Sequence, residues 1–305
     1  MKILTVCANG ISLAVEDNGA KTAIPLILIR GLGTQMAHWP RELVEGFVDN
    51  GFRTVAFDNR DVGLSQRCPA NGVPATADEI LACLRNGDAL PAAYGLDDMA
   101  RDVIGLMDAL DIDRAHLFGI SMGGMIAQQL LIKAEERVLS ATIVMSSCRP
   151  SSERWATGGT AQVDVIARLL SRPQKRDEYV AAQIEEHRVW GSPGYPMTPD
   201  EIRAVAELAY ARGADPDGQN RHVLAAVNAP DLRSKLAITT TRCLVIHGED
   251  DTLIPLEMGR EVATTIPRSD FLPVPGMGHI ITPKLAPLIV DAVSDFVHAK
   301  AGDDG

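Results

Sequence analysis

Long apolar runs are missing from this 305-residue chain: no stretch reaches the roughly 18 uninterrupted apolar residues that a bilayer-spanning helix needs. The opening Ile3-Leu4-Thr5-Val6 is broken by Asn9-Gly10 and Ser12, and no small-residue cleavage site follows. A first strand is expected there instead of an export signal, and a cytoplasmic location with it. Cysteine is scarce and scattered. The five, Cys7, Cys68, Cys83, Cys148 and Cys243, are odd in number and lack C-x-x-C spacing, so neither a disulfide framework nor a zinc site is indicated. Runs of Lys or Arg are absent as well. With 29 basic against 40 acidic residues and a net charge of −11, the chain lacks the basic patch that nucleic acid or an anionic membrane surface would require; the acidity reads as solubility. No internal repeat or low-complexity tract occurs, and only Gly302–Gly305 looks like a loose end.

What the chain does have is core-forming material. A hydrophobic content of 46% suits either one large α/β domain with an insertion or two domains. Residues 3–16 alternate around Asn9-Gly10, a strong hairpin signal. The apolar run Ile24–Ile29 and the run Thr54–Phe57 read as strands covered on both faces, with a helix between them over Trp39–Asn50 from the spacing of Leu43, Val44 and Phe47. Leu96–Leu110 is helical by the spacing of Met99, Val103, Leu106, Met107 and Leu110. Strands follow at Ala115–Phe118 and Ala141–Met145, and another at Arg242–His247. Alternating strands and helices predict a largely parallel, doubly covered sheet. Between 150 and 235 the pattern changes to charged helical segments, Gln174–Trp190 and Pro199–Arg212, divided by a Gly/Pro-rich break over 191–196. That stretch is expected to be an inserted helical lid.

The chemistry concentrates at Gly119-Ile120-Ser121-Met122-Gly123-Gly124, which reads as strand, tight turn and helix. Flanking glycines allow the strained turn, and Ser121 is presented at a helix start, where free N–H groups favour developing negative charge. A serine needs a base, and the base needs an acid to orient it. Of seven histidines, His279 alone lies in a Gly/Pro-rich loop late in the chain, Pro273–His279. The acid is expected in the loop Gly248–Pro255, where Asp250 and Asp251 both qualify. A metal site built on Glu249-Asp250-Asp251 is not indicated, since no further ligand cluster accompanies it. Met122 supplies one oxyanion donor.

From near its N-terminus to about Val297 the chain resembles the α/β-hydrolase fold superfamily. The order Ser, Asp, His is that superfamily's, and its Gly-x-x-Asp-x-x-Val/Ile-Pro pattern favours Asp251 over Asp250. Arg30-Gly31-Leu32-Gly33 resembles its His-Gly-x-Gly loop, which makes the Leu32 N–H the second oxyanion donor, although Arg30 replaces the usual histidine. Phe57–Ser65 resembles its Asp-x-Arg-Gly-x-Gly-x-Ser loop, with Asp61 in place of glycine; Asp58 and Arg60 then brace the sheet end. The Asp61 substitution and Trp39-Pro40 place the chain nearest to carboxylesterases resembling aclacinomycin methylesterase.

The resemblance implies an α/β fold with a mostly parallel eight-stranded sheet flanked by helices. The core would comprise 1–149 and 237–300 and the helical cap 150–236. It implies a serine hydrolase that cleaves a small-molecule ester or lactone through an acyl-enzyme, with Ser121, Asp251 and His279 as triad, Leu32 and Met122 as oxyanion hole, and no cofactor or metal. A carbon–carbon bond hydrolase or a cofactor-free perhydrolase would use the same triad, and a ligand-binding protein with slow turnover is the remaining rival. A homo-oligomer is compatible with the sequence, which does not set the subunit number. Met36, His38, Trp39, Trp155 and Trp190 are expected either to pack or to line the pocket, and His116 to lie in the core.

Overall fold

The computed structural model describes residues 2–69, 73, 76–86, 88–150, 162–170 and 173–299. Trp155 and Gly302–Gly305, singled out above, lie outside them. The chain opens with a hairpin of β1 (Leu4–Ala8) and β2 (Ile11–Asn18), in which Asn9 and Gly10 both adopt positive φ, 50° and 76°. Two consecutive left-handed residues match the right-handed twist of the flanking strands. Next come β3 (Ile24–Ile29), α1 (Arg41–Asp49), β4 (Phe52–Phe57), α2 (Ala77–Asn86), α3 (Leu96–Ala109), β5 (Ala115–Ile120), α4 (Met122–Lys133) and β6 (Val138–Val144). Five helices follow among the described residues: α5 (Gln162–Leu170), α6 (Arg176–Trp190), α7 (Pro199–Ala211), α8 (Pro216–Val227) and α9 (Arg233–Leu236). The chain then returns to the sheet with β7 (Cys243–Gly248), α10 (Leu256–Thr265), β8 (Ser269–Val274) and α11 (Ala286–His298).

The eight strands of the described residues form one sheet in the order β1-β2-β4-β3-β5-β6-β7-β8, antiparallel at β1/β2 and β2/β4 and parallel elsewhere. Side-chain alternation divides the core into two layers. Ile27, Ile29, Val245 and Cys243 face the layer built with α3, α4 and α10, whereas Leu26, Leu28, Leu244 and Ile246 face α1 and α11. Both faces are covered, which is why these strands read as unbroken apolar runs.

The order of the strands positions the site. From β3 the chain steps to one neighbour, β4, and from β4 it jumps back across to the other, β5. Loops leaving the carboxyl ends of β3 and β5 therefore diverge, and a crevice opens between them.

Candidate active site

Ser121 stands in that crevice, between β5 and α4, with φ 53° and ψ −120°. Its N–H donates to the Val144 carbonyl at 2.9 Å. Its own carbonyl accepts from Gly124 and Met125 N–H and from the Ser146 hydroxyl. The turn can be this tight because Gly123 packs against β3; a Cβ there would sit 2.1 Å from the Ile29 carbonyl oxygen.

Ser121 Oγ is 2.9 Å from His279 Nε2, and His279 Nδ1 is 2.7 Å from Asp251 Oδ2. His279 follows β8 and Asp251 follows β7, so residues 158 and 28 positions apart in sequence meet at one sheet edge. The Asp251 side chain is fully buried, and its Oδ1 accepts the N–H groups of Leu253 and Ile254, both at 2.9 Å. Oδ2 is thereby left to His279. His247 lies 3.5 Å from the same oxygen, but its Nε2 is 2.8 Å from the Ile254 carbonyl and burial pulls its pKa down, which keeps it neutral. Asp250 is exposed and accepts the Gly276 N–H at 2.9 Å, bracing the histidine loop from outside.

The loop from 191 to 196 does more than separate two helices. The His279 N–H donates to the Trp190 carbonyl at 2.8 Å, and the Ser192 hydroxyl donates to the Ile280 carbonyl while accepting the Gly278 N–H. The inserted segment thus grips both flanks of His279.

Leu32 and Met122 stand on the loop after β3 and at the start of α4. Both residues line the cavity over Ser121, and neither N–H meets a protein acceptor among the described residues. Met122 opens α4, where the helix leaves its first N–H groups unspent. Gly31 lets the β3 loop close in, since a Cβ there would lie 3.1 Å from the Ser121 Cβ. Two free donors beside a hydrogen-bonded serine can hold negative charge that develops on a carbonyl oxygen.

Sequence reasoning missed the residue that steadies this loop. His222 of α8 accepts the Gly33 N–H through Nδ1 at 3.1 Å, and its Nε2 is 2.7 Å from the Arg60 carbonyl, to which it donates. Burial pushes its pKa down to about 4, so the imidazole is neutral and can accept. Beside it, Arg221 forms a two-pronged ion pair with Asp61 at 2.8 and 2.9 Å, and Tyr94 adds a 2.6 Å hydrogen bond. Arg212, which caps the C-terminus of α7, reaches Asp58 at 2.8 Å. Asp58 also accepts the Met36 and Leu64 N–H groups, and Arg60 pairs with Asp102 at 2.6 Å. The one signal in the sequence was Asp61, a carboxylate where glycine is usual: at φ 68° it holds a buried charge that calls for a cation from elsewhere.

The cavity is walled by the loop after β3, the start of α4, the His279 loop and helices α5 to α8. His38, Trp39 and Trp190 line it. Met36 packs in the core instead, and His116 sits half-buried in β5 against the Ser140 hydroxyl at 2.7 Å. Among the described residues there is no group of three His, Cys, Asp or Glu side chains placed to hold a metal, and no helix long and apolar enough to cross a membrane.

The sequence pattern that describes the alpha/beta hydrolase fold matches residues 24–188. A rhodomycin D methylesterase of Streptomyces peucetius is 25% identical over 286 residues, covering 89% of this chain and 90% of its own. A putative carbamate hydrolase of Variovorax paradoxus is 29% identical over 276 residues, covering 88% and 91%. Among solved structures, the enol-lactonase from Burkholderia xenovorans superposes with a TM-score of 0.74 at 23% identity, covering 96% of this chain and 99% of that one.

Proposed function

Since the chain belongs to the α/β-hydrolase fold family, we propose that it is a serine esterase, cleaving a carboxylic ester or lactone of a small molecule through an acyl-enzyme. The observation that carries this reading is the unbroken hydrogen-bond relay Ser121–His279–Asp251, at 2.9 and 2.7 Å, in a cavity that Leu32 and Met122 also line. Relatives named as a methylesterase and a carbamate hydrolase, each matched over about nine-tenths of its length, support attack on an acyl carbon.

In the first half-reaction Ser121 Oγ attacks the carbonyl carbon while His279 Nε2 takes its proton. The carbonyl oxygen becomes an oxyanion held by the N–H groups of Leu32 and Met122. Asp251 keeps His279 in the tautomer with Nδ1 protonated and stabilises the imidazolium. Collapse breaks the bond to the alcohol oxygen, which leaves with the proton from His279. In the second half-reaction water gives a proton to His279, attacks the acyl carbon and releases the acid, restoring the Ser121 hydroxyl. These steps need no cofactor.

The stretch 150–236 is assigned as the cap and 1–149 with 237–300 as the catalytic core. Leu169, His187 and Trp190 from the inserted helices line the cavity, where they would exclude water from the acyl-enzyme. The test is Ser121→Ala against a 4-nitrophenyl ester. Activity should fall by about a millionfold, to the level of the remaining binding groups, with circular dichroism unchanged. Retention of a tenth of the activity would overturn the assignment.

A further inference from the structure

Among the described residues, one buried arginine breaks the rule the others keep. Arg53, Arg60 and Arg221 are each less than 10% exposed, and each is met through Nε and Nη2 by both oxygens of an aspartate, Asp17, Asp102 and Asp61 respectively, at 2.6–2.9 Å. Arg30 is 8% exposed and, among the described residues, has no carboxylate within ion-pair distance. Its Nε donates to the Thr34 hydroxyl at 3.2 Å, and Nη1 reaches the His38 carbonyl only at 3.5 Å. Nη2 meets no protein acceptor among the described residues, yet the packing does not seal it off. The Trp39 ring covers one face of the guanidinium at 4.5 Å, which leaves the edge. Arg30, Thr34, His38 and Trp39 all line the cavity above Ser121.

We propose that this corner is an anion subsite, and that the substrate is an ester or lactone whose acyl part carries a carboxylate a few bonds from the scissile carbonyl. The placement rests on the esterase reading above, which puts the carbonyl at Ser121; the unpaired cation does not. Arg30 directly precedes Gly31, where an added Cβ would lie 3.1 Å from the Ser121 Cβ, and Arg30 and Ser121 line the same cavity, so an anion on the guanidinium lies within one small molecule's reach of the nucleophile. Burial lowers the Arg30 pKa to about 9, which leaves it charged at neutral pH. An unpaired charge in a mostly apolar cavity is costly to keep, and a carboxylate from the ligand would supply the two-pronged partner that aspartates supply elsewhere. Among the described residues, Glu186 is the other charged side chain that lines the cavity. It stands on α6, takes the Gln183 amide at 3.1 Å and is not paired with Arg30, so the substrate's negative charge belongs at the loop end and its neutral part under α6.

The experiment compares 4-nitrophenyl hemiglutarate with 4-nitrophenyl pentanoate, acyl chains of equal length with and without the terminal carboxylate. The wild type should prefer the hemiglutarate, and Arg30→Met should cut the ratio of the two kcat/KM values by about 10- to 100-fold, the worth of a charge-assisted hydrogen bond. Arg30→Lys should retain part of the preference. A wild type without preference, or a ratio that stays within about twofold in Arg30→Met, overturns the subsite, because a residue that only braces the loop would slow both esters alike. Should Arg30→Met not fold, the wild type alone decides: glutarate should compete with the neutral ester far better than glutaramide, and equal competition refutes the proposal. Calorimetric binding of glutarate without turnover of either ester would sink the esterase reading and leave the subsite standing.

Discussion

Replacing Asp251 by asparagine changes one atom of the relay and reverses its logic. In the native site Oδ1 accepts two backbone N–H groups at 2.9 Å, and Oδ2 accepts the proton on His279 Nδ1 at 2.7 Å. An asparagine at 251 must keep its oxygen toward Leu253 and Ile254, because turning it would point NH2 at two backbone donors. The amide NH2 then faces His279 Nδ1, which must accept, and the proton moves to Nε2. A protonated Nε2 cannot take the Ser121 proton across 2.9 Å. In the serine-protease triad the same change costs about 10⁴ in kcat, or roughly 5.5 kcal/mol of transition-state stabilisation. We expect a loss of that order on a 4-nitrophenyl ester, with KM little changed. Asp250→Asn, which touches only the Gly276 N–H from the exposed side, should stay within about fivefold of wild type, as surface substitutions usually do little. Initial rates of both variants, with thermal melts as control, decide the matter. An Asp251→Asn enzyme within tenfold of wild type, or an Asp250→Asn enzyme that loses more, would refute the reasoning.

Other outcomes follow from the contacts around the loops. Arg221→Ala strands the Asp61 carboxylate, whose side chain is fully buried, and should destabilise by about 3–5 kcal/mol, lowering the melting temperature by several degrees; an unchanged melt contradicts the pairing. His222 takes up a proton near pH 4 when folded and near 6.5 when unfolded. Between those values the unfolded chain binds the extra proton, so this histidine makes stability fall as pH drops through the window, by on the order of 3 kcal/mol in all. His222→Gln should therefore flatten the loss of urea stability between pH 6.5 and 4, and parallel slopes would show that the histidine is not held neutral. The same variant should lower kcat more than it raises KM, because it loosens the Gly33 N–H beside the Leu32 donor.

Much of this arrangement could be read before the structure. The hairpin, the apolar strand runs, the serine turn and the late histidine loop are local signals, each fixed by a period or a turn chemistry confined to a few residues. The relay that joins Ser121 to His279 and Asp251 was legible only as an order along the chain. The choice between Asp250 and Asp251 leaned on resemblance, since two adjacent carboxylates in one loop differ only in where the fold points them. What stayed hidden was the polar interior. In α8, Gln219, Asn220, Arg221 and His222 are all buried, although such a run reads as a solvated helix face. They are buried because Asp61, the Arg60 carbonyl and the Gly33 N–H receive two of them, and those groups lie some 160 to 190 positions earlier in the chain. No period within the helix can announce such partners. Arg30 shows the converse. It replaces the histidine usual in the oxyanion loop, and the structure shows that loop held by His222 from the other side, with the guanidinium edge left open to the cavity.

The central claim, that Ser121 is activated to form a covalent bond to an acyl carbon, is tested most directly by trapping that bond. Brief reaction with an alkyl fluorophosphonate, followed by intact mass and peptide mapping, should add one phosphonyl group per chain, located on Ser121, in step with loss of esterase activity. Ser121→Ala should remain unlabelled. A fully inhibited enzyme with no adduct on Ser121, or an adduct that persists in Ser121→Ala, would contradict the account.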